Sequence, residues 1–221
     1  MLARFLAELC QTIHKSTVLS LMSPGSLAGQ IAKSCTTVHS LHIKQGRLPL
    51  FKLLPLGRVL RNESPDLLHG WMYHGNFAAS VGSFITFRDR PVIWSIHHSL
   101  YDPMTEKPLT RSLIRLSALL SSRASAIVYC SRVSAGQHEA IGFDPRHGVI
   151  IYNGIDCDVF RPDFNARTQL ARLLNIPEQR HVIGSIGRFH PMKNQVQQVH
   201  AFAQLLRQGY DIHGLFVGAG H

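Results

Sequence analysis

Hydrophobic residues follow two alternating spacings along the chain, one helical and one typical of buried strands. Apolar positions at helical spacing open the chain and predict a helix that ends near His14. Further on, helical segments separate six short β-branched or apolar runs, among them TTVHSLHI, PVIWSIHH and AIVYC. This alternation predicts a mostly parallel sheet covered by helices on both faces. Within it, residues 49–63 are predicted as a helix with Pro49 in its first turn and a kink at Pro55.

The pattern changes after about residue 155. Asn153 and Gly154 predict a turn, and the irregular stretch GIDCDVFRPD that follows predicts a linker. Beyond it come a helix, the strand HVIGSIG, a second helix with Gly209 just past its end, and the strand IHGLFVGAG. We therefore expect one doubly wound domain over 1–155 and a second α/β unit over 156–221. Two parallel strands and one crossover helix do not close a core, so the second unit is expected to be cut off at His221.

Composition places the chain among globular proteins, since 45% of its 221 residues are hydrophobic and 16% are charged. The net charge is +10, and residues 1–62 contribute +7 of it, with eight Lys or Arg against Glu8 alone. Such an excess suggests an anionic neighbour: nucleic acid, an acidic membrane surface or a phosphorylated ligand. A solvated basic face without a partner is the alternative, and charge alone does not choose.

Cysteine spacing and the N-terminal pattern bear on the compartment. The four cysteines contain no C-x-x-C pair, which favours reduced thiols in a cytosolic protein. Charged residues interrupt the first apolar segment, and no run approaches the roughly 18 to 20 apolar residues of a membrane span. We expect a cytoplasmic protein. Peripheral contact with the inner face of the membrane is compatible with this expectation.

The stretch HVIGSIGRFHPMKN is the most informative for chemistry. Gly187 lets the end of a strand approach a ligand closely, and Arg188 and Lys193 place two cations before a helix whose N-terminal N–H groups favour an anion. A diphosphate fits this arrangement at the carboxyl end of a strand. A basic loop that is merely solvated is the alternative.

Metal and cofactor signals are weak. Asp156 and Asp158 form an Asp-x-Asp pair, but it follows NGI in a predicted interdomain turn. The chain contains neither a G-x-G-x-x-G nor a Walker A glycine loop, and no H-E-x-x-H spacing. We therefore expect no metal and no cofactor. We also expect no nucleic acid, because the basic residues lie between parallel strands without interleaved aromatic side chains.

Several segments together resemble the retaining glycosyltransferases of family 4, and the resemblance begins near residue 16. This family has the GT-B fold, in which two Rossmann-like domains face a cleft. The segments YHGN, SIHHSLYD, TEKPLTR and RFHPMKN are similar to sequences of the branch that builds cell-surface polysaccharides and lipopolysaccharide. The segments that carry the likeness are PDLLHGWMYHGN, SIHHSLYD, AIVYCS, VIIYNGIDCDVFRPD, IGSIGRFHPMKN and LFVGAGH.

The resemblance implies a fold and an activity. It implies a GT-B-like α/β protein with one nearly complete acceptor-side domain and the start of a nucleotide-sugar-binding domain. The reaction would transfer a sugar with retention from a nucleoside diphosphate sugar to a lipid-linked or polysaccharide acceptor, without a metal. Arg188 and Lys193, beside Gly187, would hold the donor diphosphate and stabilise the leaving group.

Further site residues follow from the same resemblance. His97 stands where many members place a cleft-facing histidine, and we expect it to contact the transferred sugar. The neighbouring His98 is the alternative candidate for this role. Tyr73, His74 and Asn76 begin a helix and would line the acceptor side, with a satisfied polar residue at a helix start as the alternative for His74. Ser131 is expected to cap its helix, and Asn153 and Gly154 to shape the interdomain turn.

Two features of the family pattern are absent from the sequence. The glycine-bearing turn after the first strand would lie before Met1, and the acidic pair that contacts the donor would lie after His221. The sequence therefore resembles an internal piece of such an enzyme, apparently truncated at both ends. A non-catalytic fragment or pseudoenzyme with at most weak nucleotide binding is the alternative.

Overall fold

A computed structural model describes residues 2–12, 15–25, 28–33, 36–44, 54–86 and 90–220. The chain divides into two compact units, Met1–Gly154 and Ile155–His221. In chain order the helices and strands are α1 (Leu2–Thr12), β1 (Ser16–Ser20), α2 (Ala28–Ala32), β2 (Thr36–Ser40), α3 (Leu54–Glu63), β3 (Leu68–Trp71), α4 (Met72–Ile85), β4 (Val92–Ile96), α5 (Pro108–Leu120), β5 (Ala126–Tyr129), α6 (Arg132–Glu139), β6 (Gly148–Ile150), α7 (Ala166–Leu174), β7 (His181–Ile186), α8 (Gln195–Arg207) and β8 (Ile212–Val217). Short 3₁₀ turns occur at Pro103–Thr105, Ser121–Arg123, Pro145–His147 and Pro191–Lys193.

The strands of the first unit pair in parallel, but in two sheets. β3, β4, β5 and β6 form a four-stranded sheet in that order, and β1 pairs with β2 in a separate two-stranded sheet. The six predicted strands were expected in a single sheet. Within the described residues this expectation is wrong, because the strands form two sheets. The two sheets share a core nonetheless, since Leu41 and Ile43 pack in the same buried cluster as Leu68. Apolar runs dictate which residues are buried, whereas edge pairing depends on which strands meet in space.

One face of the four-stranded sheet is buried. Alternate residues of neighbouring strands, such as Leu68, Trp94 and Ile127, are 8%, 1% and 0% exposed, as the two-residue period of a strand requires. α4 packs on β3 and β4 and contacts α5. On the opposite face, Phe5 of α1 lies against Trp71 of β3, with ring centroids 6.0 Å apart. This opposite face leads to the candidate site at the carboxyl ends of β3 and β4.

The described part of α3 begins at Leu54, one residue before Pro55. The kink predicted at Pro55 therefore stays a prediction. The predicted start at Pro49 lies outside the described residues.

The second unit has a small core. β7 and β8 pair in parallel along six residue pairs from His181↔Ile212 to Ile186↔Val217, and α8 connects them. α8 ends before Gly209, which has φ +88°, the left-handed conformation predicted at that position. Among the described apolar residues of this unit, Ala171 is the one that is buried, at 6% exposed.

Candidate functional site

His97 is presented directly after β4 with its ring fixed on two sides. Its imidazole stacks on the indole of Trp71, with centroids 4.7 Å apart and planes 13° from parallel. Nδ1 lies 3.3 Å from Oδ1 of Asn153. Because that oxygen only accepts, Nδ1 carries the proton and Nε2 presents its lone pair. Nε2 is buried and meets no hydrogen-bond partner within the described part of the chain, so this ring nitrogen is left unsatisfied.

The electrostatics keep His97 neutral. Burial lowers the pKa of His97, and the hydrogen bond with Asn153 opposes this in part. Its backbone N–H also donates to Sδ of Met72, 3.3 Å away. Met72 has φ 60°, a strained value for a side chain of this kind. This conformation lets β3 pass into α4 without an intervening loop.

His69 extends the aromatic group around His97. Its Nε2 lies 2.7 Å from Oγ of Ser95, and its ring lies 5.4 Å from that of Trp71. Sequence reasoning did not single out His69, Trp71 or Ser95. The signal was available, because residues two positions apart share one face of a strand. This applies to 69 and 71 in β3 and to 95 at the end of β4 with 97 directly after it.

His98 points elsewhere. Its Nε2 lies 2.8 Å from Oε1 of Glu106, and its ring meets that of Tyr73 edge-on at 6.3 Å. The choice between the two histidines, which the sequence left open, therefore has a structural basis. His97 has an unoccupied ring nitrogen, whereas His98 is engaged by a carboxylate.

Two of the three predicted acceptor-side residues lie in the interior. Tyr73 is 3% exposed, and its hydroxyl lies 2.8 Å from Nε2 of His138. Asn76 is 0% exposed, and its amide nitrogen donates to the carbonyls of Gly70 (2.9 Å) and Met72 (3.2 Å). Burial thus corrects the expectation that these side chains line a surface for the acceptor.

The spacing of α4 carried a signal for this burial. Tyr73, Asn76 and Phe77 are three or four positions apart and share the face that packs on the sheet. His74 remains half-buried, and burial lowers its pKa. It stays a prediction for the acceptor side.

The turn expected at Asn153 and Gly154 lies slightly further on. Residues 151–156 are irregular, and the turn falls at 157–160. Asp156 organises it, because Oδ1 accepts from the N–H groups of Asp158 (3.1 Å) and Val159 (3.0 Å). A Cβ built on Gly154 would meet nothing within 4 Å, so space does not demand glycine there. An aspartate side chain, not the Asn-Gly pair, fixes this turn.

In the second unit, Arg188 and Lys193 lie together after β7. The N–H of Gly187 donates to the carbonyl of Val217 at 2.9 Å and continues the pairing of the sheet. The stem of Lys193 passes over Gly187, since a Cβ added there would lie 3.7 Å from Cε of Lys193. Both cationic side chains are exposed.

Glutamines at the start of α8 fasten this loop. Nε2 of Gln195 donates to the carbonyl of Arg188 at 3.0 Å, and Oε1 accepts from the N–H of His190 at 3.4 Å. Nε2 of Gln198 donates to the carbonyl of Lys193 at 2.9 Å. Sequence reasoning missed these glutamines, although polar residues in the first turn of a helix after a basic loop were visible. The loop that carries the two cations is ordered by its own helix.

The charge around this loop is entirely positive. The stretch 181–210 contains no Asp or Glu, and neither Arg188 nor Lys193 forms an ion pair with any residue that the structure describes. The first N–H groups of α8 add the positive end of a helix dipole. The arrangement suits a multiply charged anion such as a diphosphate.

No three His, Cys, Asp or Glu side chains converge within the described ranges as metal ligands would. None of the described helices is both long and apolar enough to cross a lipid bilayer.

Parallel strands joined by helices make this an α/β protein, and the family match and the solved structures with the same fold identify it as GT-B-like. The chain belongs to glycosyltransferase family 4: the family model described as "Glycosyltransferase Family 4" matches residues 1–159. The match covers the first unit and the start of the second, so Arg188 and Lys193 lie outside it.

Solved structures share the fold. HepE of Anabaena, crystallised with UDP and glucose, superposes over 100% of this chain with a TM-score of 0.77 at 20% identity. MnaA of S. aureus, in a co-structure with UDP, superposes over 96% of this chain with a TM-score of 0.56 at 17% identity. The lipopolysaccharide outer core galactosyltransferase WaaB covers 92% with a TM-score of 0.54 at 11% identity.

The chain is shorter than these proteins. It spans 57% of the HepE chain, 57% of MnaA and 67% of WaaB. No curated protein matches it.

Proposed function

We propose that the chain belongs to an enzyme that transfers a sugar, with retention, from a nucleoside diphosphate sugar to a lipid-linked or polysaccharide acceptor. Family membership supports glycosyl transfer as the class of reaction. The nucleotide donor is supported by UDP in complexes of similar fold, those of HepE and MnaA. The lipopolysaccharide-type acceptor is supported by the name of WaaB alone.

The observation that carries the proposal is the placement of Arg188 and Lys193. Two exposed cations without a carboxylate partner in the described chain stand after β7, beside the N-terminus of α8. As the bond between sugar and phosphate breaks, negative charge develops on the departing diphosphate. Two cations already in place stabilise that charge without reorganisation. No metal is part of this proposal.

His97 is assigned to the sugar. Its Nε2 can accept a hydrogen bond from a sugar hydroxyl, because Nδ1 is already engaged by Asn153. Retention means that the acceptor hydroxyl attacks from the face that the diphosphate leaves. In this proposal His97 positions the sugar and does not act as a general base.

We also propose a cytoplasmic location with peripheral contact to anionic lipid through the basic residues of the first unit. Lys33 and Lys44 are exposed, whereas Lys15 is paired with Glu63 at 2.9 Å. Each Lys or Arg near an anionic surface contributes about 1 kcal/mol. Sedimentation with phosphatidylglycerol vesicles should fall on raising the salt concentration, and equal sedimentation with neutral vesicles would oppose the proposal.

The test of the diphosphate site is UDP binding by calorimetry to the full chain and to the double variant Arg188→Ala/Lys193→Ala. Hydrogen bonds to charged groups contribute about 1.5 to 3 kcal/mol each, so affinity should fall by about 100-fold or more. Sugar transfer from UDP-glucose should be lost with it. The control, Arg172→Ala/Arg207→Ala, removes the same charge from exposed positions of α7 and α8.

The outcomes separate the proposal from its alternative. Unchanged UDP affinity in the Arg188→Ala/Lys193→Ala variant would refute the role of these residues. UDP binding that depends on them, without transfer to any acceptor, would favour a chain that binds nucleotide but does not catalyse.

A further inference from the structure

Two side chains of α6 hold the backbone of residues 98–100. Oγ of Ser134 donates to the carbonyl of His98 at 2.6 Å. Oε1 of Gln137 accepts from the N–H of Leu100 at 2.8 Å. Residues three positions apart lie on one face of a helix, so a single face of α6 fixes two consecutive parts of the segment that follows β4.

His138 continues this face and connects it to α4. Its Nδ1 lies 2.7 Å from the carbonyl of Ser134. A carbonyl only accepts, so Nδ1 is protonated and Nε2 accepts from the hydroxyl of Tyr73 at 2.8 Å. Ser134 and His138 are 0% exposed. The ring of Tyr73 in turn meets His98 edge-on, which closes the connection between α6, α4 and the segment.

These contacts leave His97 between two fixed groups. On one side stands Ile96, which is 0% exposed at the end of β4. On the other stands the carbonyl of His98, which Ser134 holds. The carbonyl of the residue after His97 is thereby held from α6, while Sδ of Met72 accepts from the N–H of His97 itself. Trp71 and Asn153 hold the ring of His97.

We propose that Ser134, Gln137 and His138 are positioning residues that determine where the imidazole of His97 is presented to a ligand. The inference rests on the proposed function, in which His97 contacts the transferred sugar. None of the three residues needs to touch that sugar. A misplacement of about 1 Å of a group at a reacting centre can cost on the order of 10²-fold in rate, so they affect turnover through His97.

The first test observes His97 itself by ¹⁵N nuclear magnetic resonance of its ring in the full chain, with His97→Gln to assign its signals. In Gln137→Ala and in Ser134→Ala the ring shifts of His97 should change and its titration midpoint should move toward about 6.5, the usual value for histidine. Gln137→Glu retains an acceptor oxygen for the N–H of Leu100 and should return the ring shifts of the neutral His97 toward the wild-type values, while its added negative charge raises the titration midpoint. Nearby His69 and the His98–Glu106 pair are the same in every variant.

Arg132→Ala is the matched control, because Arg132 belongs to α6 but is exposed. It should leave the signals of His97 unchanged. Gln137 is only half-buried, which makes its variant suitable should Ser134→Ala fail to fold. Unchanged His97 signals in folded Gln137→Ala would overturn the proposal.

The second test is kinetic. In Gln137→Ala, kcat for sugar transfer should fall by about 10- to 100-fold with KM nearly unchanged, and Gln137→Glu should recover most of it. The two failures are distinguishable. If the wild-type chain transfers no sugar while the His97 signals respond as expected, the proposed function fails and the positioning role stands.

Discussion

The two units of the chain hold their polar side chains in opposite ways. In the first unit Tyr73 of α4 and Ser134 and His138 of α6 are buried and connected by hydrogen bonds. In the second unit Arg188 and Lys193 are exposed, and the loop that carries them is fixed through its backbone. These three polar residues of the first unit therefore support stability, whereas Arg188 and Lys193 of the second remain available for a ligand.

The difference explains how each unit should respond to substitution. A buried polar group that loses its partner costs the full desolvation penalty, about 1 to 3 kcal/mol. An exposed cation loses little, since water already solvates it. Both tryptophans, Trp71 and Trp94, belong to the first unit, so tryptophan emission during urea unfolding reports on that unit alone.

The largest expected effect is at Gly70. A Cβ there would lie 2.5 Å from Cα and 2.7 Å from N of Asn76. These are backbone atoms, so a side-chain rotation cannot relieve the overlap. Gly70→Ala should therefore push the start of α4 away from β3. We expect a loss of about 3 kcal/mol in the free energy of unfolding, measured by urea titration.

Gly75→Ala, in the same segment, is the control for Gly70→Ala. A Cβ at Gly75 would meet its nearest neighbours at 3.7 Å, an ordinary contact. Alanine is favoured over glycine inside a helix by up to about 1 kcal/mol, so this variant should be neutral or slightly stabilised. Equal losses at both positions would contradict the close approach of β3 and α4.

An intermediate effect is expected from His138 on acidification. Burial lowers the pKa of His138, and the hydrogen bond to Ser134 opposes this in part. Below about pH 6.5 the His138 imidazole is protonated in the unfolded chain but not in the folded chain. Its contribution to the free energy of unfolding is therefore present above that pH and is lost as the pH falls. His138→Gln should be less stable at pH 8 but should lose less stability between about pH 7 and pH 5.

His69, His74 and His97 also have lowered pKa values because of burial. They remain in the His138→Gln variant, so the dependence on pH should become shallower without disappearing. An identical slope in both proteins would show that His138 is not the buried neutral group described.

The smallest effect is expected in the second unit. Arg188→Ala/Lys193→Ala should change the free energy of unfolding by less than about 0.5 kcal/mol, measured by circular dichroism of the whole chain. The same variant should lose UDP binding, and this separation of stability from binding sharpens the contrast between the units. A large loss of stability would show that these cations hold the loop together.

Local features of the fold could be predicted from sequence because the signals that encode them are local. Ser131 accepts from the N–H of Ser134 at 3.0 Å and caps α6, as predicted. Gly209 ends α8 for an equally local reason. The grouping of Gly187, Arg188 and Lys193 was also readable, since it lies within seven consecutive residues.

Features that depend on distant contacts could not be read in the same way. His138 meets Tyr73 from 65 positions away, and Asn153 meets His97 from 56 positions away. Their pairing is decided by how the helices pack on the sheet, which no local spacing records. The same holds for the separation of β1 and β2 from the four-stranded sheet, because edge pairing is a tertiary property.

Gly218 has a consequence for engineering the second unit. A methyl group there would overlap the carbonyl oxygen of Gly187, and the N–H of Phe189 donates to the carbonyl of Ala219 at 2.9 Å. Two backbones in such close contact fix the course of the loop whatever side chains it bears. Positions 188 and 189 are therefore open to a combinatorial library that alters ligand preference, whereas position 218 should be kept as glycine throughout.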